Sequence, residues 1–364
     1  MKEKHVLVLG QRKGLTKALE ELAIPHTIWR HLDEASLEEN LKEKENLAHI
    51  SHVLASGEGS VVLSNRVRKD LGLTQIDPLV VELCSDKLSM KEKAQREGIK
   101  VTPFLPGGTD LSSQEVYDYL GEKLVVKDRN NSGGKGQRVY ASPEVIASSD
   151  DQLIEAFIAG HEMSVESFIQ DGEIKFVSTT KYEELGVINI VPSCLESSLL
   201  EEVLKVNQKV IEAFEIKDGL THLEVYLTEE GVLFGEVALR PPGGHIMTLL
   251  GEAHGLKAWE LYVKIHLGEA LPPLSSKGSH AGVIVYHPGK GKIEAILGED
   301  QLAKLKTLKQ HKIRAKVGDL VGERDGVGKE RAHFIFSSDD RQKLEREISD
   351  FRSHFSMALE EAMG

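Results

Sequence analysis

Glu224 and Glu236 lie in the segment THLEVYLTEEGVLFGEVALRPPGGH, whose pattern sets them side by side. Residues 221–227 alternate, with Thr221, Leu223, Val225 and Leu227 on one face and His222, Glu224 and Tyr226 on the other. Residues 232–239 alternate as well, and Glu229, Glu230 and Gly231 between them suit a three-residue hairpin loop with glycine in the left-handed position. That register pairs Thr228 with Val232, Tyr226 with Phe234 and Glu224 with Glu236. Directly opposite glutamates would have Cβ atoms about 5 Å apart, and like charges so placed repel. A divalent cation offsets the repulsion, and a pair of carboxylates with bound phosphates is a ligand set that magnesium prefers.

A second group joins Lys127 to the glycine-rich run of residues 130–136, in which Ser132 is followed by Gly133, Gly134, Lys135 and Gly136. Glycines let backbone N–H groups approach phosphate oxygens closely, and a strand-borne lysine adds a point charge. The Walker spacing is absent, and without a phosphate such a loop is simply flexible. Lys87, in the first turn of a helix, is unremarkable by itself. A third group is Glu155, Phe157 and Ile158 with Glu162 and Glu166 close behind. An extended segment of this kind offers backbone groups and apolar side chains to a flat base, and a following carboxylate can accept from ribose hydroxyls. His222 and His245 could orient or deprotonate an amine, although a satisfied structural role is the simpler account of each.

These residues need elements to position them. Residues 5–10 form a buried strand, followed by a helix over 15–22 and strand-like residues 27–29, a βαβ-like opening without the glycine spacing of a dinucleotide fingerprint. From Ser85 or Asp86 a capped helix runs to Gly98, and a Pro/Gly-rich linker covers 103–108. Strands at 123–128 and 137–141 predict a small β-rich lobe reaching to residue 190, and a helix over 199–214 opens a third lobe. The chain closes with an amphipathic helix from residue 340 to about 363.

The composition fits that reading. A chain of 364 residues is long enough for two or three lobes around a cleft. Lys+Arg 45 against Asp+Glu 58 gives a net charge of -13, which excludes the basic face that nucleic acid demands. Cys84 and Cys194 predict neither a disulfide framework nor a zinc site, and the short apolar start lacks the form of a signal peptide, so a cytoplasmic protein is expected, with no membrane partner.

Taken in order, DK at the head of a helix, VVK before a glycine-rich loop, EAFI-x-GHE-x-SVE, HLE and E-x-x-x-RPPGG resemble the ATP-grasp superfamily across residues 80–250. The resemblance implies an ATP-grasp fold of α/β and α+β lobes: an N-terminal α/β domain (1–105), a β-rich lid (106–190) and a larger C-terminal α+β lobe (191–364), with nucleotide between the last two. It implies that Lys87 and Lys127 bind phosphates, that Ser132, Gly133, Gly134, Lys135 and Gly136 form the lid loop, and that Glu155, Phe157 and Ile158 frame the adenine while Glu162 meets the ribose. Glu224 and Glu236 would hold magnesium, or manganese in its place. Arg240 would neutralise the transferring phosphate or the substrate carboxylate. Ala238 stands where many members carry asparagine, which leaves the number of metal ions open. The implied activity is an ATP-dependent ligase that makes an acyl phosphate from a carboxylate and passes it to an amine, in the manner of amino-acid ligases. A bicarbonate-activating carboxylase and a non-catalytic nucleotide-binding protein are the alternatives. Small-molecule substrates are the expected partners, and a homodimer is common in such enzymes.

Overall fold

The apolar run at the start of the chain is buried on both faces, and that decides the first layer. Val6 and Val8 enter one cluster with the helices of the third lobe, whereas Leu7 and Leu9 enter another with Leu37, Leu41 and Val67. The structure is a computed structural model describing residues 4–42, 47–73, 76–131, 133–142, 144–324, 326 and 329–360. Strand β1 (Val6–Leu9), helix α1 (Lys13–Glu21), strand β2 (His26–Trp29), helix α2 (Glu34–Lys42), strand β3 (His52–Ala55) and helix α3 (Glu58–Asp70) form a parallel sheet of order β2-β1-β3 with its crossovers. Helix α4 (Pro78–Leu83) leads to α5 (Lys87–Arg96). Asp86 caps α5 by accepting from the N–H groups of Leu88 at 3.0 Å and Ser89 at 3.2 Å, as the sequence predicts. The cap fixes Lys87 and Lys91, one turn apart, on the buried face of the helix.

The small lobe is shorter than expected. Strands β4 (Phe104–Pro106), β5 (Lys123–Asp128), β6 (Arg138–Ala141) and β7 (Gln152–Ala156) make an antiparallel sheet of order β4-β7-β5-β6, covered by helix α6 (Ser113–Leu120). Strands β8 (His161–Gln170), β9 (Glu173–Glu184) and β10 (Ile188–Val191) lie inside the expected 106–190 lobe but belong to a different sheet. The break in pairing falls at residues 157–160 because the long, buried β8 is claimed by a partner from the third lobe.

That partner is β11 (Gly219–Thr228), preceded by helix α7 (Ser197–Ala213) and followed by β12 (Gly231–Leu239). Helices α8 (Ile246–His254) and α9 (Ala258–His266) pack one face, with β13 (His280–Tyr286), β14 (Gly291–Leu297), β15 (Leu308–Ile313), β16 (Leu320–Val321), β17 (Ala332–Ser338), helix α10 (Arg341–His354) and β18 (Ser356–Leu359) beyond. Eight strands run in the order β12-β11-β8-β9-β10-β13-β17-β15. The closing helix stops at His354 rather than continuing, because Phe355 and Met357 are drawn into the core and β18 pairs with β14. Residues 361–364 lie outside the described residues. Among the described residues no helix is long and apolar enough to cross a membrane, and Cys84 and Cys194 are free thiols.

The β11–β12 hairpin corrects one expectation and reaches the same end. Thr228 pairs with Gly231, Tyr226 with Leu233 and Val225 with Phe234, so the loop is a residue tighter than the pattern implies. A bulge at Gly235 then absorbs one residue, and Glu224 faces Glu236 after all. Glycine is needed there, since a Cβ would stand 2.9 Å from the Glu224 carbonyl oxygen. Gly235→Val is therefore expected to destabilise the fold by about 1–3 kcal/mol in urea titrations and to uncouple the two carboxylates, and retention of both wild-type stability and magnesium response would refute the role of the bulge.

Candidate active site

Three carboxylates from adjacent strands converge. Glu224 and Glu236 are opposite neighbours on β11 and β12, and Glu162 on β8 is the cross-strand partner of Tyr226. Their environments differ. Burial raises the Glu236 carboxyl and the facing charge of Glu224 raises it further, against Lys87, whose Nζ is 3.5 Å from Oε2. Burial also acts to raise Glu224, but the hydrogen bond and charge of His222 outweigh it and hold this carboxylate low. Glu224 and Glu236 face each other across β11 and β12, and their mutual repulsion favours taking up a proton on Glu236 rather than on Glu224. Glu162 is raised by burial and by the charges of Glu224 and Glu236. Carboxylates crowded tightly enough to favour a proton on one of them are the donor set that a hard dication replaces that proton to bind.

Lysines border the acidic group. Lys127 on β5 pairs with Glu155 Oε2 at 2.7 Å, and Lys91 on α5 pairs with Oε1 of the same carboxylate at 2.9 Å. Glu155, with 5% of its side chain exposed, is thus held between two cations. Burial acts to raise its pKa, yet Lys127 and Lys91 bring it down to about 2 from the ordinary 4.5. Burial pulls Lys91 below the usual lysine range, whereas for Lys127 the nearby negative charges outweigh burial and hold it above. The Glu155 carboxylate is thus paired inside the core, and its backbone is the part left unclaimed by these two lysines. Phe157 is 42% exposed with the Lys123 ammonium 3.5 Å over its ring, and Ile158 is half-buried beside it.

The glycine-rich loop takes the backbone shape its composition predicts. Gly133, Gly134 and Gly136 have φ of 64°, 76° and 70°, left-handed values that side chains disfavour. Lys87 donates from Nζ to the Asn131 carbonyl oxygen, which ties the loop to α5. The loop rests on the C-terminal region: a Cβ at Gly326 would lie 2.2 Å from the Gly133 carbonyl oxygen and 3.2 Å from Cγ of Lys135. Ser132 lies outside the described residues.

Arg240 is buried at the end of β12, with Nε 2.5 Å from Glu58 Oε2 in the first turn of α3. Its charge acts on Glu224 and Glu236 without a direct contact. Nη1 of Arg12 donates to the Pro242 carbonyl oxygen at 2.7 Å and so braces the loop after Arg240. His245 at the end of that loop lies 3.1 Å from Glu330 Oε1, which His333 approaches to 3.3 Å and Arg314 to 2.5 Å. The ligand atoms of His245, Glu330 and His333 lie within 4.8 Å of one another, and the Arg314 guanidinium already balances the Glu330 carboxylate, which makes this an ion-pair node.

Residues 92–253 match the family described as the ATP-grasp domain. The chain carries an ATP-grasp domain. It is similar to the L-arginine-specific L-amino acid ligase of Bacillus subtilis, 24% identical over 333 residues, covering 85% of this chain and 80% of the relative. A formate-dependent phosphoribosylglycinamide formyltransferase of Tolumonas auensis is 22% identical over 67% of this chain and 71% of its own. Among solved structures, an L-amino acid ligase from Bacillus licheniformis superposes with a TM-score of 0.84 at 16% identity, over 99% of this chain and 100% of the other. The fold is the ATP-grasp fold that the order of motifs implies.

Within the ATP-grasp cleft, the structure brings together Lys87, Lys127, Glu162, Glu224 and Glu236 and sets Arg240 at their edge. Sequence reasoning passed over Lys91, Tyr182 and Glu58. Lys91 left one signal, its place a turn after Lys87, but its partner Glu155 comes from a strand far along the chain. Removing Glu155 leaves two buried cations without their anion, so Glu155→Ala is expected to cost about 3–5 kcal/mol in equilibrium unfolding. Because its folded pKa is depressed, the stabilisation is full above about pH 4.5 and is lost as the pH falls toward 2. A wild-type minus variant difference that stays flat across that window would refute the pairing.

Proposed function

We propose that the protein is an ATP-dependent ligase that converts a carboxylate into an acyl phosphate and joins it to an amine, releasing ADP and phosphate. The observation that carries this reading is the convergence of Glu224 and Glu236 on facing strands beside Lys87 and Lys127. The relatives' names support an amino acid as one substrate.

Glu224 and Glu236 would hold magnesium, which manganese can replace, and the ion when bound spreads the charge of the triphosphate and polarises the transferring phosphoryl group. The fit rests on the crowded carboxylates, whose repulsion a dication relieves. Lys87 and Lys127 neutralise phosphate oxygens, and the N–H groups of residues 133–136 close over them as the lid. Phe157, Ile158 and the backbone at Glu155 border the adenine, and Glu162 meets the ribose.

A carboxylate oxygen of the substrate attacks the γ-phosphorus and ADP leaves. The amine nitrogen then attacks the acyl carbon, phosphate departs, and the nitrogen loses its proton to leave an amide. Arg240, held by Glu58, lowers the energy of charge at the acyl phosphate through its field. The lid's contact with Gly326 keeps water from the intermediate. The small sheet of residues 104–156 acts as the lid lobe, and the enzyme works in the cytoplasm on small molecules.

Phosphate release from magnesium and ATP, measured across a panel of amino acids, small acids and bicarbonate with and without amines, tests the reading. Stimulation by an amino acid with an amide product is expected, and Glu236→Gln should lower the rate by about 100-fold or more, as loss of a metal-held phosphoryl clamp does. No stimulation above that variant by any member would overturn the ligase; stimulation by bicarbonate alone would replace it with a carboxylase.

A further inference from the structure

The steps above leave His222 unused, although its ring bridges the magnesium carboxylate to the interior. It precedes Glu224 by two residues on β11, and its two nitrogens face two carboxylates: Nδ1 is 2.8 Å from Glu166 Oε1 and Nε2 is 3.4 Å from Glu224 Oε1. Glu166 is itself fixed. It is 0% exposed, its Oε1 accepts from Ser164 Oγ at 2.6 Å and its Oε2 from Thr180 Oγ1 at 2.7 Å, so it cannot reach a ligand. Tyr182 donates to the same Glu224 Oε1 at 3.0 Å. One oxygen of Glu224, Oε1, is therefore claimed from behind by two side chains, which leaves Oε2 as the oxygen these two do not approach.

We propose that His222, anchored by Glu166, is a positioning residue that holds Glu224 in the rotamer presenting a single oxygen to magnesium. This rests on the reading of Glu224 and Glu236 as the metal ligands. A glutamate has three side-chain dihedrals, and one that must bind an ion with one oxygen is helped by a fixed donor behind the other. The strand pairing sets His222 opposite Glu166 across β11 and β8, so swinging the ring would break its 2.8 Å contact between Nδ1 and Glu166 Oε1. Ala238 sits directly opposite His222 on β12 and leaves room for the ring.

The test is the affinity of the full chain with bound ADP for manganese, read by the loss of the free-ion electron paramagnetic resonance signal, alongside the rate of ADP formation as free magnesium is varied at saturating ATP and substrate. Loss of an outer partner of a metal ligand typically costs about 10–100-fold in metal affinity or activity. His222→Ala is expected to weaken manganese binding and raise the magnesium concentration for half-maximal rate, each by about 10-fold or more, with kcat at saturating magnesium within about threefold and KM for ATP unchanged. His222→Gln, which keeps an N–H near the Nε2 position, should recover most of the loss. Glu166→Gln, isosteric and milder, should shift half-saturation the same way, and it carries the test if His222→Ala does not fold. An unshifted manganese affinity or magnesium half-saturation in the variants that fold, or a His222→Gln enzyme as impaired as the alanine variant, overturns the proposal and leaves His222 as core packing. A wild type indifferent to magnesium overturns it too, by removing the metal reading on which it stands.

Discussion

Carboxylates that crowd one another inside a cleft set the conditions for the rest of this structure. At the roughly 5 Å of a directly opposed pair, two negative charges repel by about 3 kcal/mol if the effective dielectric is near 20. Burial and that repulsion together raise Glu236, while His222 holds Glu224 low. The same arithmetic favours a dication still more, because it attracts both charges where a proton neutralises one. A fold able to keep the pair together must therefore hold it against repulsion whenever the site is empty of cations.

It does so with charge from several directions. Lys87 approaches Glu236 from α5, His222 approaches Glu224 from its own strand, and Tyr182 reaches the same residue from β9. Lys127 is kept in place by Glu155, which in turn needs Lys91 to balance its burial. Each ion is partnered before any substrate arrives, so the desolvation cost of a polar cleft is spread over a network rather than carried by one group. The same α5 that supplies Lys87 and Lys91 is tied to the small sheet through Asp86, whose carboxylate Arg129 approaches to 3.1 Å by Nε. The position of the small sheet and that of Lys87 and Lys91 are thus mechanically linked.

Much of this was legible in the residues. The capped helix, the extended strand with Lys127 and the left-handed glycines at 133, 134 and 136 follow from local preferences. The opposition of Glu224 and Glu236 was legible too, by a route that was wrong in detail: the loop is tighter than the pattern implied, and the bulge at Gly235 restores the pair. Alternation reports which face a side chain takes, but it is blind to where a strand accommodates an extra residue. The lobe boundary failed for a related reason, since nothing local marks β8 as a partner of β11 rather than of the small sheet.

The sequence by itself determined which residues had to meet, because carboxylates, lysines and glycines at these spacings have few other uses in combination. Only the tertiary structure decided what each would spend its charge on. Glu155 reads as a base-framing residue and has its carboxylate paired inside the core, Arg240 reads as free to meet substrate and is held by Glu58, and His222 reads as an ordinary core histidine and is set between Glu166 and Glu224. The physical reason is that hydrogen-bond and ion-pair partners are chosen by distance in space, whereas strand and helix periodicity carries information only along the chain.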